Sequence, residues 1–248
     1  MLAQRQEVPT VGPEARGVAA IWWHREAIEH EAAALFEQLA ALLRQTGAPA
    51  ELIAMATQAA DDEREHAVLC RAIIAQTGVE LPPRRAEPPP PLGPTALSPR
   101  ERALYAAVAI SCVTETLSAA LLLAIRERAE PALIKETVQR ILKDEVAHSR
   151  LGWALLAHEA EHGGQASLGW LAAHLPEMVA EAIAADVDPM SEAGLSAGDA
   201  DEAAPRLDLS AYGILRRERV AEVVSEAVAT VIMPGLERFG IDATALRR

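Results

Sequence analysis

Aromatic residues are scarce: four Trp, two Tyr and two Phe in 248 residues. Half of the chain is apolar, and most of that half is Ala and Leu, the strongest helix formers. The β-branched and aromatic residues that favour strands are few. An all-α protein follows. Cysteine is scarce too: Cys70 and Cys112 both fall inside apolar helical patterns, and two buried thiols are expected rather than a disulfide. There is no C-x-x-C, which excludes a zinc ribbon or a rubredoxin-type iron centre. Basic residues are outnumbered, and the formal net charge of −13 repels phosphate backbones, so no nucleic acid is expected as a partner. No basic amphipathic stretch points to a membrane surface. The N-terminus lacks the charged-then-apolar profile of a signal peptide, and no run approaches the roughly 18 apolar residues of a membrane span. A cytoplasmic product with no membrane partner is the expectation.

What the sequence has in abundance is helical periodicity. Residues 14–45 read as one helix, with Ile21, Ile28, Leu35 and Leu42 repeating every seven residues. Thr46-Gly47-Ala48-Pro49 ends it, and a second helix runs to about Gln76. Residues 79–99 hold eight of the chain's 16 prolines and can be neither helix nor sheet interior. They read as a domain linker or as an extended strap along the molecule. A third helix starts after Ser98-Pro99 and runs to about Ala129, and Pro131 opens a fourth that continues to Gly163-Gly164. Beyond it, 167–184 reads as a shorter helix interrupted near Pro176, 185–210 as acidic loop, and 214–233 as a last amphipathic helix before Pro234-Gly235.

The first four helices form two hairpins that repeat each other: Pro49 precedes Glu63 by 14 residues, and Pro131 precedes Glu145 by 14. Each of these glutamates opens an E-x-x-H, Glu63 to His66 and Glu145 to His148. Residues three apart leave the same helix face, so both side chains can converge on one metal. A lone E-x-x-H is weak evidence; two copies at equivalent places in a repeated hairpin are strong.

The partner helices each need an inward glutamate. On the third helix Glu115 is the only acid between Glu101 and Glu127, on a face that otherwise reads as core, where an unpartnered charge is costly. On the first helix, Glu31 lines up with polar residues, whereas Glu29 lines up with Trp22, Phe36 and Leu43. Glu29 is the inward residue, and Glu26 an outer support or minor ligand. At about 1.5 Å rise per residue, Glu29 and Glu63 both lie roughly 20–25 Å from the first turn, and Glu115 and Glu145 as far from the second. All meet at mid-height if the turns sit at opposite ends of a bundle about 45 Å long. That arrangement makes the second and third helices parallel and favours the strap.

A Glu from each of two helices with Glu-x-x-His from the other two is the ligand pattern of ferritin-like carboxylate proteins. Over about residues 15–160 the chain resembles that superfamily. The closer resemblance is to bacterial ferritin-like domain proteins, on four features. These are E-H-x-x-x-x-x-F (Glu29 to Phe36), D-E-x-x-H-A-x-L-C (Asp62 to Cys70), C-V-x-E-T (Cys112 to Thr116) and a C-terminal helix with a late proline (Val220 to Pro234). The resemblance implies an all-α, ferritin-like four-helix bundle over 14–164, with a crossover at 77–99 between helices two and three. Extra C-terminal helices over 165–248 would pack on it. It implies a metal site of Glu29, Glu63, His66, Glu115, Glu145 and His148, with Glu63 and Glu145 bridging two ions about 3.5–4 Å apart.

Carboxylate and imidazole ligands without thiolates suit two Fe ions, or an Mn/Fe pair, over zinc. Asp62 and Asp144 read as solvated helix acids, the alternative being a hydrogen bond to the opposite histidine. His24, His30, His158, His162 and His174 read as surface, and Tyr105 and Trp22 as core. The leading function is a di-iron oxidase or oxygenase, an oxidoreductase using O2 or peroxide on a small-molecule substrate. The alternatives are iron handling or storage, and a non-catalytic helical scaffold. A homodimer is compatible with the sequence.

Overall fold

A computed structural model describes residues 7–82, 91–184 and 209–247, and among them every regular element is helical. Helix α1 (Gly12–Gln45) carries Pro13 in its first turn, where a missing N–H costs nothing. Helix α2 (Ala50–Thr77) stops at Gly78, whose φ of +66° glycine adopts freely. The third helical run opens with a capping box, Ser98 Oγ accepting from Glu101 N while the Glu101 carboxylate accepts from Ser98 N. It comprises α3 (Pro99–Ala107), a π-helical stretch (Val108–Thr114) and α4 (Glu115–Arg126). Helix α5 (Ala132–Gly163) follows.

Helix α1 packs along α2, α2 against α5, α5 along the π stretch and α4, and α3 back onto α1, closing a ring around one interior. That interior holds two apolar clusters. One gathers Leu42, Leu43, Leu52, Leu104, Leu155 and Leu156. The other gathers Val18, Cys70, Ile73, Ile125, Ile134 and Ile141. The first joins the C-terminal part of α1, the N-terminal parts of α2 and α3, and the C-terminal part of α5. Helices α2 and α3–α4 therefore start at the same end and run parallel. Chain leaving α2 must return the length of the bundle, and Leu92 is already buried in the first cluster. The eight residues 83–90 of this crossover lie outside the described part.

The later segments pack onto this ring. Two 3-10 turns (Gln165–Ser167 and Gly169–His174) lead into α6 (Leu175–Ala184). Leu168, Leu171, Leu175 and Met178 join the first cluster. Pro176 sits in the first turn of α6, so it starts the helix instead of interrupting one. The expected loop at 185–210 falls almost wholly outside the described residues. Leu209 and Tyr212 reach the second cluster, and Trp22 Nε1 donates to the Tyr212 carbonyl at 2.9 Å. Helix α7 (Arg217–Ala227) packs on α4. The last helix does not stop before Pro234: a π turn (Val228–Ile232) leads into α8 (Met233–Glu237). The wider winding frees the carbonyl that the proline ring would strike in a regular helix.

Among the described residues one helix, Pro99–Arg128, is long and apolar enough to cross a membrane by length and composition. Ser111, Thr114, Thr116 and Ser118 interrupt its apolar run without lowering its mean hydropathy much. Most of its apolar window is buried inside the protein, as in the core helix of a bundle.

Candidate metal centre

Between the two apolar clusters lies a band of polar side chains. Glu29, Glu63, His66, Glu115, Glu145 and His148 all point into it, and none is more than 5 % exposed. They fall into two overlapping groups, Glu29–Glu63–His66–Glu145 and Glu63–Glu115–Glu145–His148. Within each group, one donor atom per residue lies within 4.8 Å of all the others. The six residues picked from spacing are thus brought together at one height, and Glu63 and Glu145 are the two that belong to both groups. Glu63 spans the histidines: its Oε2 lies 3.0 Å from His66 Nδ1 and its Oε1 2.9 Å from His148 Nδ1. Glu63 Oε1 has no well-aligned hydrogen bond despite being buried. A buried carboxylate oxygen without such a bond calls for another partner, and a cation supplies one. The donor set is all oxygen and imidazole nitrogen, with both cysteines free and buried elsewhere, which suits iron or manganese.

Each histidine turns Nδ1 towards the carboxylates and donates Nε2–H to the aspartate on the opposite hairpin. His66 reaches Asp144 Oδ2 and His148 reaches Asp62 Oδ2, both at 3.3 Å. The less favoured reading of these aspartates is therefore the observed one. Such a bond fixes the ring and its tautomer so that the other nitrogen stays free for a metal. Behind the aspartates the hairpins differ. Asp62 accepts from the Gln58 amide at 3.0 Å, whereas Asp144 pairs with the Arg140 guanidinium at 3.0 Å. Ser118 Oγ adds a donor to Glu145 Oε1 at 3.3 Å.

Local backbone explains how Glu115 arrives here. The π stretch ends directly before it, and Thr114 Oγ1 donates to Ala109 O, five residues back, at 3.0 Å. This wider turn rotates the helix below it relative to the helix above. Gly152, one turn beyond His148 on α5, makes room for it. A Cβ there would come within 2.6 Å of Ala107 O and 2.5 Å of Cys112 Sγ. Only glycine lets α5 lie this close to the widened helix.

The electrostatics of the metal-free site follow from burial. Burial pushes the Glu29 carboxyl up to about 8, partly offset by its hydrogen bond to His66. Burial and the neighbouring Glu145 drive Glu115 well above the usual carboxylate range. Burial would also raise Glu63, but the imidazoles of His148 and His66 lying against its two oxygens prevail and hold it near 2. Burial opposes charge on the histidines, yet Glu29 and Glu63 raise His66 to about 11, and Glu145 and Glu63 raise His148 to about 10. At neutral pH Glu29, His66 and His148 hold protons that divalent ions would displace.

A cavity of about 90 Å³ opens onto the centre. Its floor is Glu29, Glu63, Glu115 and Glu145; Ile28 and Leu121 give it apolar walls, and Ala182 of α6 closes one side. Among the described residues Arg25 is the only basic one that lines it.

Other candidates fall elsewhere. Glu26 is buried but bonded to Arg71, and it belongs to neither group. Glu31, His30 and His162 are exposed, and His158 is half-buried. His24 is buried rather than on the surface, because the N-terminal half of α1 is covered on more sides than its charged neighbours suggest. His174 is half-buried against the Tyr105 and Trp170 rings. Tyr105 and Trp22 are core residues. Gly152, Ser118, Gln58, Arg140 and Arg25 carried no sequence signal as supports, since their relevance depends on which helix lies opposite. Compared with known proteins, the chain matches no family model, no curated protein and no solved structure.

Proposed function

We propose that this is a ferritin-like dimetal carboxylate protein, di-iron or mixed manganese–iron, and that it works as an oxidoreductase turning O2 or peroxide on a small molecule. Residues 14–164 form the ferritin-like unit and 165–248 an extension that helps wall the site. The observation that carries this reading is that Glu63 and Glu145 each belong to both four-residue groups. A shared pair of carboxylates is what holds two cations side by side. Four glutamates balance the charge of two divalent ions, and His66 and His148 give each ion one neutral nitrogen. Bound, the metals would supply the electrons for reducing O2 or peroxide. The chain's own contribution is to orient both imidazoles through Asp144 and Asp62, to keep bulk water out with the flanking apolar clusters, and to admit a small molecule through the cavity. A storage subunit has no need of that substrate-sized cavity, which favours the oxidoreductase over iron handling.

Metal analysis of the full chain, with O2 uptake by the Fe(II)-loaded protein, tests this. Two metals per chain and O2 uptake are expected. One metal or none would overturn the dimetal reading. Uptake that stops once the added Fe(II) is spent, with iron accumulating in cage-sized particles, would replace the oxidoreductase by storage.

A further inference from the structure

We infer that the cavity binds a small organic anion with a short apolar body, its acidic head held by Arg25. The inference rests on the dimetal reading and names the substrate class for it.

Two helical stripes build the cavity. On α1, Arg25, Ile28, Glu29 and Ala32 follow i, i+3, i+4, i+7 and so share one face. On the third run, Leu117 and Leu121 share another. Arg25 therefore lies one turn from Glu29 on the same wall. It is half-buried, yet among the described residues no carboxylate is within ion-pair range of it. The nearest candidates are committed: Glu26 to Arg71 and Glu29 to His66. What Arg25 has is the Trp22 ring, 5.5 Å from its guanidinium carbon, a cation–π contact that does not use its N–H donors. A partly desolvated cation with unused donors is costly unless something anionic completes it.

Charge within the cavity points the same way. Two divalent ions cancel the four glutamates of the floor, which leaves Arg25 as the one uncompensated charge. A cationic or neutral substrate would leave it so. Guanidinium matches a carboxylate or phosphate head bidentately. The rest of the wall is Ile28, Ala32, Leu117, Leu121 and Ala182 with two hydroxyls, and those of Thr114 and Ser118 already donate to Ala109 O and Glu145 Oε1, so the body of the molecule meets a mainly apolar surface. The cavity is smaller than the roughly 150 Å³ that accommodates benzene in an engineered protein core, so the body is short.

The test uses the full chain loaded with Zn(II), which fills the site without redox chemistry, its metal content measured first. Butanoate, butyl phosphate, butan-1-ol and butylamine are titrated by calorimetry and by tryptophan fluorescence, since the Trp22 ring lies against Arg25. The expected result is that one or both anions bind about tenfold to a hundredfold more tightly than the alcohol and the amine. Which anion is preferred identifies the head group. Arg25→Gln removes the preference and Arg25→Lys restores part of it, both at unchanged metal content and melting temperature. Anion binding unaffected by Arg25→Gln would mean that the head sits on the metals and would overturn the proposal, as would equal binding of alcohol and anion. Should Arg25→Gln fail to fold, the wild-type ranking alone decides: a preference for the alcohol or amine overturns it. Fewer than two Zn(II) per chain is a separate result: the loading and titrations are then repeated with Mn(II), and fewer than two Mn(II) per chain overturns the dimetal reading and takes the substrate class with it.

Discussion

The two hairpins solve one problem with unequal means. Each provides a lone glutamate, a Glu-x-x-His, and an aspartate that braces the other hairpin's histidine. These shared parts are the ones that touch the centre. The differences lie behind them. Helix α1 is regular along its length, whereas its counterpart is widened before Glu115. Asp62 is backed by an amide and Asp144 by a cation. Glu145 has a hydroxyl donor in Ser118, while Glu63 Oε1 has no aligned donor. The repeat thus fixes which donors converge, and its imperfections make the two donor groups inequivalent.

Removing a shared carboxylate breaks the comparison altogether. Glu63→Ala or Glu145→Ala is expected to empty both positions, whereas His66→Ala should mainly empty one. Metal analysis with anomalous scattering distinguishes these outcomes, and two metals retained in either glutamate variant would refute bridging. Gly152→Ala attacks one hairpin only. Its methyl group must displace Ala107 and Cys112, an overpacking that costs about 1–3 kcal/mol. Thermal melting should report that loss, and metal binding at the Glu115–His148 position should suffer first.

Acidity sharpens the comparison further. The folded metal-free chain keeps a proton on Glu29 up to about 8 that the unfolded chain releases near 4.5. It keeps protons on His66 and His148 up to about 11 and 10 that the unfolded chain loses near 6.5. The native state binds more protons, so its stability is greatest at low pH within this window and falls as pH rises from about 5 to 10. Melting temperature of the metal-free protein should drop between about pH 6 and 9, and drop less with metal present, because the metals replace those protons. A flat metal-free profile would contradict the assignment. The smallest effect is expected from Arg140→Gln. The guanidinium draws charge from Asp144 and so weakens His66 as a donor relative to His148. Replacing it makes the hairpins alike and should narrow the difference between two stepwise metal affinities by a few-fold, since Arg140 is 46 % exposed and screened. An unchanged difference would remove Arg140 from the account.

Much of this was legible in residue order. The paired Glu-x-x-His motifs, their equal distances from two prolines, the isolation of Glu115 on an apolar face and the apolar line through Glu29 pick out the six residues that fall in the two donor groups. They work because spacing along a helix is also direction around it. What spacing cannot encode is which surface lies opposite. The crossing of Asp62 and Asp144 to the far histidines, the burial of His24 and the placement of Ala182 over the cavity all depend on how helices are rotated against one another. The π stretch left no trace either, since Val108–Thr114 has the composition of an ordinary core helix.

That stretch has one more consequence. A helix wound more loosely for a few residues accommodates an extra residue without growing a full step longer, so a regular helix of the same residue count would carry the segments on either side out of their present phase. Removing a single residue there would let the run wind as a regular α-helix with the helix after Glu115 close to its present phase, whereas removing one from the regular turns would rotate everything after it by about 100°. The third helix is in this sense a key whose teeth align only because one notch is cut wide.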